Sequence, residues 1–275
     1  MDVSIISIIF FIIITVGYFI ALKPKLTLDL LEPDCYNDYK NSIFPKLALY
    51  LLIVCLSQFI LNISYLTNKC GGEVKNNIGP AALYTFFPWL IIFGIIIAVL
   101  IIFPGFKSSF SDVIGYFAIA GKAKTLFADI MLDADLNAKI KQADPAKQAE
   151  ITSAADALVK MLGNKSILIN QMTPDNFLGS WNLLKPLMKT NIDDTKLLTY
   201  KADLLNLVVL KDNIGEGLWY VYTAILVSSV VYYNLANRGC VKSAEQIKAG
   251  YDQYQKDQEA KDAEQKANTS TAVLN

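Results

Sequence analysis

An all-α, multi-pass membrane protein is the fold this sequence predicts, and three observations predict it. Four apolar runs, at residues 3–22, 47–66, 78–103 and 217–237, contain no Asp, Glu, Lys or Arg. Each reaches the ~20 residues that a helix needs to cross a hydrocarbon core of about 30 Å. The stretch between the third and fourth runs spaces its apolar residues at helical rather than strand intervals. The whole chain is 53% hydrophobic with a mean hydropathy of +0.36, more apolar than an ordinary soluble domain.

The first run closes at Lys23-Pro24-Lys25; only Asp2 and no lysine precede it, so it is expected to stay as an anchor rather than be cleaved as a signal. The third run is long for one crossing and carries Pro80, Pro88 and Gly94, which predicts a kink at Pro88 and some tilt. Trp219, Tyr220 and Tyr222 open the fourth run while Tyr232 and Tyr233 close it, the placement of interfacial belt residues. The organisation that follows has a membrane region at 1–106, a helical extramembrane domain at 107–216, a fourth span at 217–237 and a charged helical tail at 238–275.

Within the domain, Asp144-Pro145 starts one helix that Gly163 ends, Thr173-Pro174 starts another that Pro186 ends, and a third covers 195–210. Between residues 111 and 132, Val113, Phe117, Ala120, Phe127 and Ile130 form a stripe. That stripe suits either a helix on the membrane surface or the first helix of the bundle. In the tail, Ile247, Tyr251 and Tyr254 make a thin stripe able to dock on a partner.

Composition removes several functions. Histidine is absent and Arg238 is the one arginine, so the commonest general base, the commonest metal ligand and bidentate phosphate readers are missing. Net charge is zero, which gives no global pull toward nucleic acid. The stretch 115–122 misses the phosphate-loop spacing, and Asp133 to Asp144 misses the Gly and Glu of a calcium loop. Asp193-Asp194 sits at a helix start and reads as a cap. The chain therefore reads as no enzyme, with no cofactor and no nucleic-acid partner.

The candidate sites are structural. Gln58 and Asn62 lie four apart on one face of the second span, and Ala224 and Ser228 form a small-residue pair in the fourth. Gln58, Asn62 and Ser228 are expected to hydrogen-bond between helices, or to line a pathway between the second and third spans. Pro104 and Gly105 should stop the third span at the interface, with Lys107 holding its level and Ser111-Asp112 capping the helix that leaves. Cys35 falls on the first loop's side and Cys55 inside a span, whereas Cys70 and Cys240 share the opposite side and are a candidate disulfide if that side is oxidising.

Orientation follows from basic residues near the span ends. Lys23, Lys25, Lys40, Lys46, Lys107, Lys122, Lys124 and Lys211 share the domain's side, against Lys69, Lys75, Arg238, Lys242 and Lys248 opposite. The excess predicts a cytosolic domain.

The segment Phe87-Pro88-Trp89, then Phe103-Pro104-Gly105-Phe106-Lys107, then Phe110-Ser111 and Gly115-Tyr116, resembles part of the membrane proteins of nucleocytoplasmic large DNA viruses. The match covers about 35 residues, with the two earlier spans matching loosely; Phe106 stands where the family pattern has Trp, and Ser109 where it has Pro. The resemblance implies a minor capsid component in the virion inner membrane, derived from host endoplasmic reticulum. Its partners would be the lipid bilayer, the major and other minor capsid proteins, and further copies of itself. The expected function is to anchor the icosahedral shell to that membrane. The alternative is a channel or transporter subunit with its pathway between the second and third spans.

Overall fold

The computed structural model describes residues 3–70, 74–131, 165–185, 188–189, 191–240 and 244–272. Helix α1 (Val3–Gly17) ends in a π turn, Tyr18–Leu22, and a 3-10 turn at Leu28–Leu31 leads to α2 (Pro33–Cys70). Helix α3 (Val74–Ile102) returns across the bundle, with a π turn at Trp89–Phe93 directly after Pro88. Pro88 removes one N–H from the ladder and crowds the turn before it, and the wider π turn begins at the next residue. The chain then bends through a 3-10 turn, Pro104–Lys107, a helical turn, Ser108–Phe110, and a π turn, Ser111–Gly115, into α4 (Tyr116–Ile130). Short helices α5 (Lys165–Asn170) and α6 (Phe177–Leu184) follow, then α7 (Asp194–Asn237) and α8 (Ala244–Ala272). No strand is present among the described residues beyond one antiparallel bridge, Met131 with Met188.

Helix α1 together with its π turn, and helices α2, α3 and α7, are each long and apolar enough to cross a membrane. The protein is an all-α, multi-pass membrane protein. Their inward faces form an aromatic core in which Tyr18 stacks on Tyr50 at 4.6 Å between ring centres, while Phe93 meets Tyr220 at 5.4 Å and Phe11 meets Trp89 at 5.5 Å. Their outward faces keep Ile13, Ile20, Ile60, Ile95 and Ile102 exposed. A soluble protein would not leave such a girdle bare, whereas lipid covers it.

A second core lies beyond the domain-side ends of the spans. Ile119, Ala123, Phe127 and Ile130 of α4 pack with Phe177, Trp181, Leu184, Leu204 and Val208. Helix α7 belongs to both cores, giving Leu204 and Val208 to the domain, and Tyr220, Val227 and Val231 to the membrane bundle. At ~1.5 Å per residue its 44 residues span about 66 Å, well beyond a bilayer core. The expected border at 216/217 is thus no break in the chain, and the helix expected at 195–210 is the first part of α7. Nothing in 194–237 is strong enough to end it: Pro is absent, and Gly215 and Gly217 lower propensity without stopping a helix packed on both sides.

The stripe of residues 111–132 needs correction. Its residues do not share one face: Phe127 and Ile130 are buried, Val113 and Phe117 are 55% and 77% exposed, and Ile119 and Ala123 take the inward positions. The π turn at Ser111–Gly115 shifts Val113 relative to α4, whereas Phe117 lies within α4, two residues from Ile119 and so on the side away from Ile119, Ala123, Phe127 and Ile130. One face of this segment packs on the domain; the other leaves Val113, Ile114 and Phe117 open. The start at Thr173-Pro174 is a 3-10 turn whose capping box pairs Thr173 with Asn176. The Asp144–Gly163 helix and Pro186 lie outside the described residues.

Candidate functional site

The site to examine is the joint where three of the four spans reach the domain. Helix α7 presents Asp212, Glu216 and Tyr220 at intervals of four, hence on one face, with Asn213 beside them. Lys23, just past the end of α1, donates to Glu216 Oε2 at 2.9 Å and to Asn213 Oδ1 at 2.7 Å. Lys107, just past the end of α3, reaches Asp212 Oδ2 at 2.8 Å and Glu216 Oε2 at 3.2 Å. Tyr220 Oη donates to the remaining Glu216 oxygen at 2.9 Å. One carboxylate thereby joins α1, the exit of α3 and α7.

The four charged side chains are 7–16% exposed, so water screens them little. Burial alone would push the Lys107 ammonium down; the Glu216 and Asp212 carboxylates outweigh that and hold its pKa above the ordinary lysine range. Two lysines and two carboxylates cancel, which is what makes four buried charges tolerable. Lys107 was expected to hold the span's level from the interface. Its ammonium is turned inward into this cluster, because the carboxylates offer more than the water it gives up.

The next face of α7 carries Lys211 and Gly215. Lys211, 2% exposed, donates to Asp112 Oδ1 at 2.9 Å and to the carbonyl of Asn170 at 3.2 Å. Gly215 and Gly115 allow the backbones to meet. A Cβ on Gly215 would lie 2.7 Å from Ser111 Cβ, and one on Gly115 would lie 2.6 Å from the Lys211 carbonyl oxygen. Ser111 and Asp112 consequently do not cap a helix start: they sit inside a π turn, Ser111 pressed on Gly215 and Asp112 paired with Lys211. On a third face, Trp219 Nε1 donates to the Phe106 carbonyl at 2.8 Å, and its ring packs edge-on to Phe110 at 5.1 Å. Trp219 and Tyr222 keep a belt position, while Tyr220 is turned inward and buried.

Toward α2 the joint leaves a cavity of about 290 Å³. Its floor is the Lys23, Lys107, Asp212, Glu216 cluster, and its walls include Leu47 and Leu100 from the ends of α2 and α3. Lys40 and Asp175, 2.6 Å apart, close its rim, and Tyr36 Oη also donates to Asp175.

The polar residues expected between spans fall into two groups. Ser7 of α1 donates to Gln58 Oε1, Gln58 Nε2 donates to the Ser7 carbonyl at 3.0 Å, and Ser7 and Ser228 lie 3.2 Å apart. Asn62 donates to Thr85 of α3 at 2.8 Å. The void beside Gln58, Asn62 and Ser228 measures about 10 Å³, about one water probe. At the opposite membrane face Cys70 and Cys240 form a disulfide with Cα atoms 5.2 Å apart. Lys69 there donates to the Leu235 and Arg238 carbonyls, each at 3.0 Å, capping the end of α7. Cys35 is free and exposed on the domain's side, and Cys55 is free and buried. Among the described residues no group of His, Cys, Asp and Glu could hold a metal ion.

Reading the sequence missed the cluster of Lys23 and Lys107 with Asp212 and Glu216, and the separate pair of Asp112 with Lys211. A signal was present: Asp212 and Glu216 share a helix face just before an apolar run, and Lys23 and Lys107 come just after two others. Span ends on one side of a bilayer share one depth, so such charges meet there. Comparison with protein-family models, curated proteins and solved structures returns no match.

Proposed function

We propose that this is a structural membrane protein of a virion, holding an icosahedral shell to an inner membrane derived from host endoplasmic reticulum. The observation that carries the reading is the joint. Helix α7 runs unbroken from the membrane bundle into the domain, and buried ion pairs fasten it to α1 and to the turn after α3. Such a joint transmits position and load from a bilayer to whatever the domain grips, the requirement of an anchor and not of a catalyst. Part of the stretch that carries the family resemblance also builds the joint: Pro104 to Lys107 at the exit of α3, and Ser111 and Gly115 against α7.

The domain faces the cytosol in this reading. The lysine excess on its side and the exposed thiol of Cys35 suit a reducing compartment, and the Cys70–Cys240 bond on the other side suits an oxidising one. The channel alternative draws no support from Gln58 and Asn62, which are engaged by Ser7 and Thr85 beside a void too small for a solute.

The test is cross-linking mass spectrometry on purified particles through the domain lysines, Lys122, Lys124, Lys185 and Lys201. Links to shell proteins are the expected result. If the protein leaves with lipid, linked only to itself, the anchor reading is wrong.

A further inference from the structure

The cavity at the joint has three walls of different chemistry. Its floor is polar but fully engaged, since Lys23, Lys107, Asp212 and Glu216 satisfy one another. Its rim holds Lys40 and Asp175, whose side chains are 48% and 39% exposed. Its third wall is apolar and continues onto the lipid-facing surface of the bundle: Phe44 of α2 is 49% exposed and Ile101 of α3 is 37% exposed.

Depth fixes what such a space meets. Lys23 follows the last turn of α1, Lys107 follows α3, and Glu216 precedes the charge-free part of α7. The cavity therefore lies where hydrocarbon gives way to headgroups. Charge narrows the occupant further. Three lysines (23, 40, 107) and three carboxylates (175, 212, 216) line the space, so an anion meets no net attraction. The rim pair differs from the floor pairs in exposure: water screens an ion pair this open and holds it only weakly, so it opens readily to other partners. An ammonium and a phosphate on one molecule match what Asp175 and Lys40 then offer.

We propose that this cavity seats one zwitterionic glycerophospholipid, its phosphate at Lys40, its ammonium at Asp175, and the start of an acyl chain along Phe44, Leu47 and Ile101. A bound lipid would fill the space between α2 and α3 and complete the joint on its fourth side. The inference rests on the membrane fold alone and not on the virion reading; the lipid assay needs no particle, so the two fail separately.

The full chain would be purified in a detergent that is not a phospholipid and examined by native mass spectrometry. Phosphatidylethanolamine, phosphatidylcholine and phosphatidylglycerol would be supplied in equal amounts. One phosphatidylethanolamine or phosphatidylcholine retained per chain is expected, at least tenfold over the anionic lipid. Asn41→Trp places a ring into the cavity from an exposed position on α2 and should remove the bound lipid at least tenfold while the melting temperature holds. Lys40→Glu, an exposed substitution, should also release it, and the Lys40→Glu/Asp175→Lys exchange should restore it. No retained lipid, a preference for phosphatidylglycerol, or retention unchanged in both Asn41→Trp and Lys40→Glu would overturn the proposal.

Discussion

The two ends of the membrane bundle are held by different chemistry. At the domain's end, Glu216 gathers Lys23, Lys107 and Tyr220, and the joint depends on every one of these elements keeping its register. At the opposite end, one disulfide and one lysine cap tie α2 to the end of α7. Ion pairs in a water-poor site specify geometry, because a shifted helix leaves a charge without its partner. A disulfide fixes two points whatever the register and answers to the redox state of its compartment. The end that carries the domain is the one built for geometry.

Removing the centre of the charged joint should produce the largest effect. Glu216→Ala leaves the Lys23 ammonium with no carboxylate, only Asn213 and the Phe19 ring, and leaves Lys107 with Asp212 alone of its two carboxylates. Breaking a buried pair from one side costs roughly 3–5 kcal/mol. A large fall in melting temperature in detergent is expected, with Glu216→Gln intermediate because it keeps an acceptor. A melting temperature equal to the parent's would mean that water already screens the cluster.

Close backbone contact should come second. Gly215→Ala forces a methyl into Ser111 and the Lys107 carbonyl, and overpacking of this kind costs about 1–3 kcal/mol. Gly94→Ala in α3 meets nothing within 4 Å and should instead be neutral or stabilising, by up to about 1 kcal/mol. The pair of variants separates contact at the joint from helix propensity. Equal melting shifts in the same direction would remove the contact argument.

At the other end, Cys70→Ser opens a loop whose ends are 170 residues apart. A soluble chain would lose about 5 kcal/mol on opening so long a loop. Here the spans are already confined by the bilayer, so the free chain has far less freedom to recover, and a loss well below that figure is expected. Proteolysis should show a loosened connection between α7 and α8 while the domain end keeps its protection. Matching loss of protection at both ends would show that the disulfide governs the whole bundle.

The spans were legible because lipid imposes one requirement, ~20 uncharged residues, that no tertiary detail overrides. The turn at Pro104-Gly105 was legible for a similarly local reason. The unbroken α7 was not, because a helix continues wherever packing on both sides outweighs weak breakers such as Gly215. Lys107 looked like an interface lysine since only its own neighbours were visible; its partners are more than 100 residues away in sequence. The inward face of α4 was misread because its apolar residues lie on more than one side, so spacing alone did not separate Phe117 from Ile119. Of the joint, then, the place where the chain turns was readable and its ion-pair partners were not, whereas at the opposite end the Cys70–Cys240 pair was readable.

The smallest effect should come from inside the membrane. Gln58→Leu removes both contacts with Ser7 and leaves Ser7 with Ser228. Hydrogen bonds between spans contribute about 0.6 kcal/mol on average and seldom above 1.7, because a helix in lipid finds other partners when one is lost. Leucine also finds apolar neighbours there, Val231 and Tyr232, beside the same small void. A melting shift of a degree or two is therefore expected, far short of Glu216→Ala. A shift equal to that of Glu216→Ala would move the main hold from the joint to the middle of the bilayer, and the contrast between the two ends would no longer describe how this bundle is kept together.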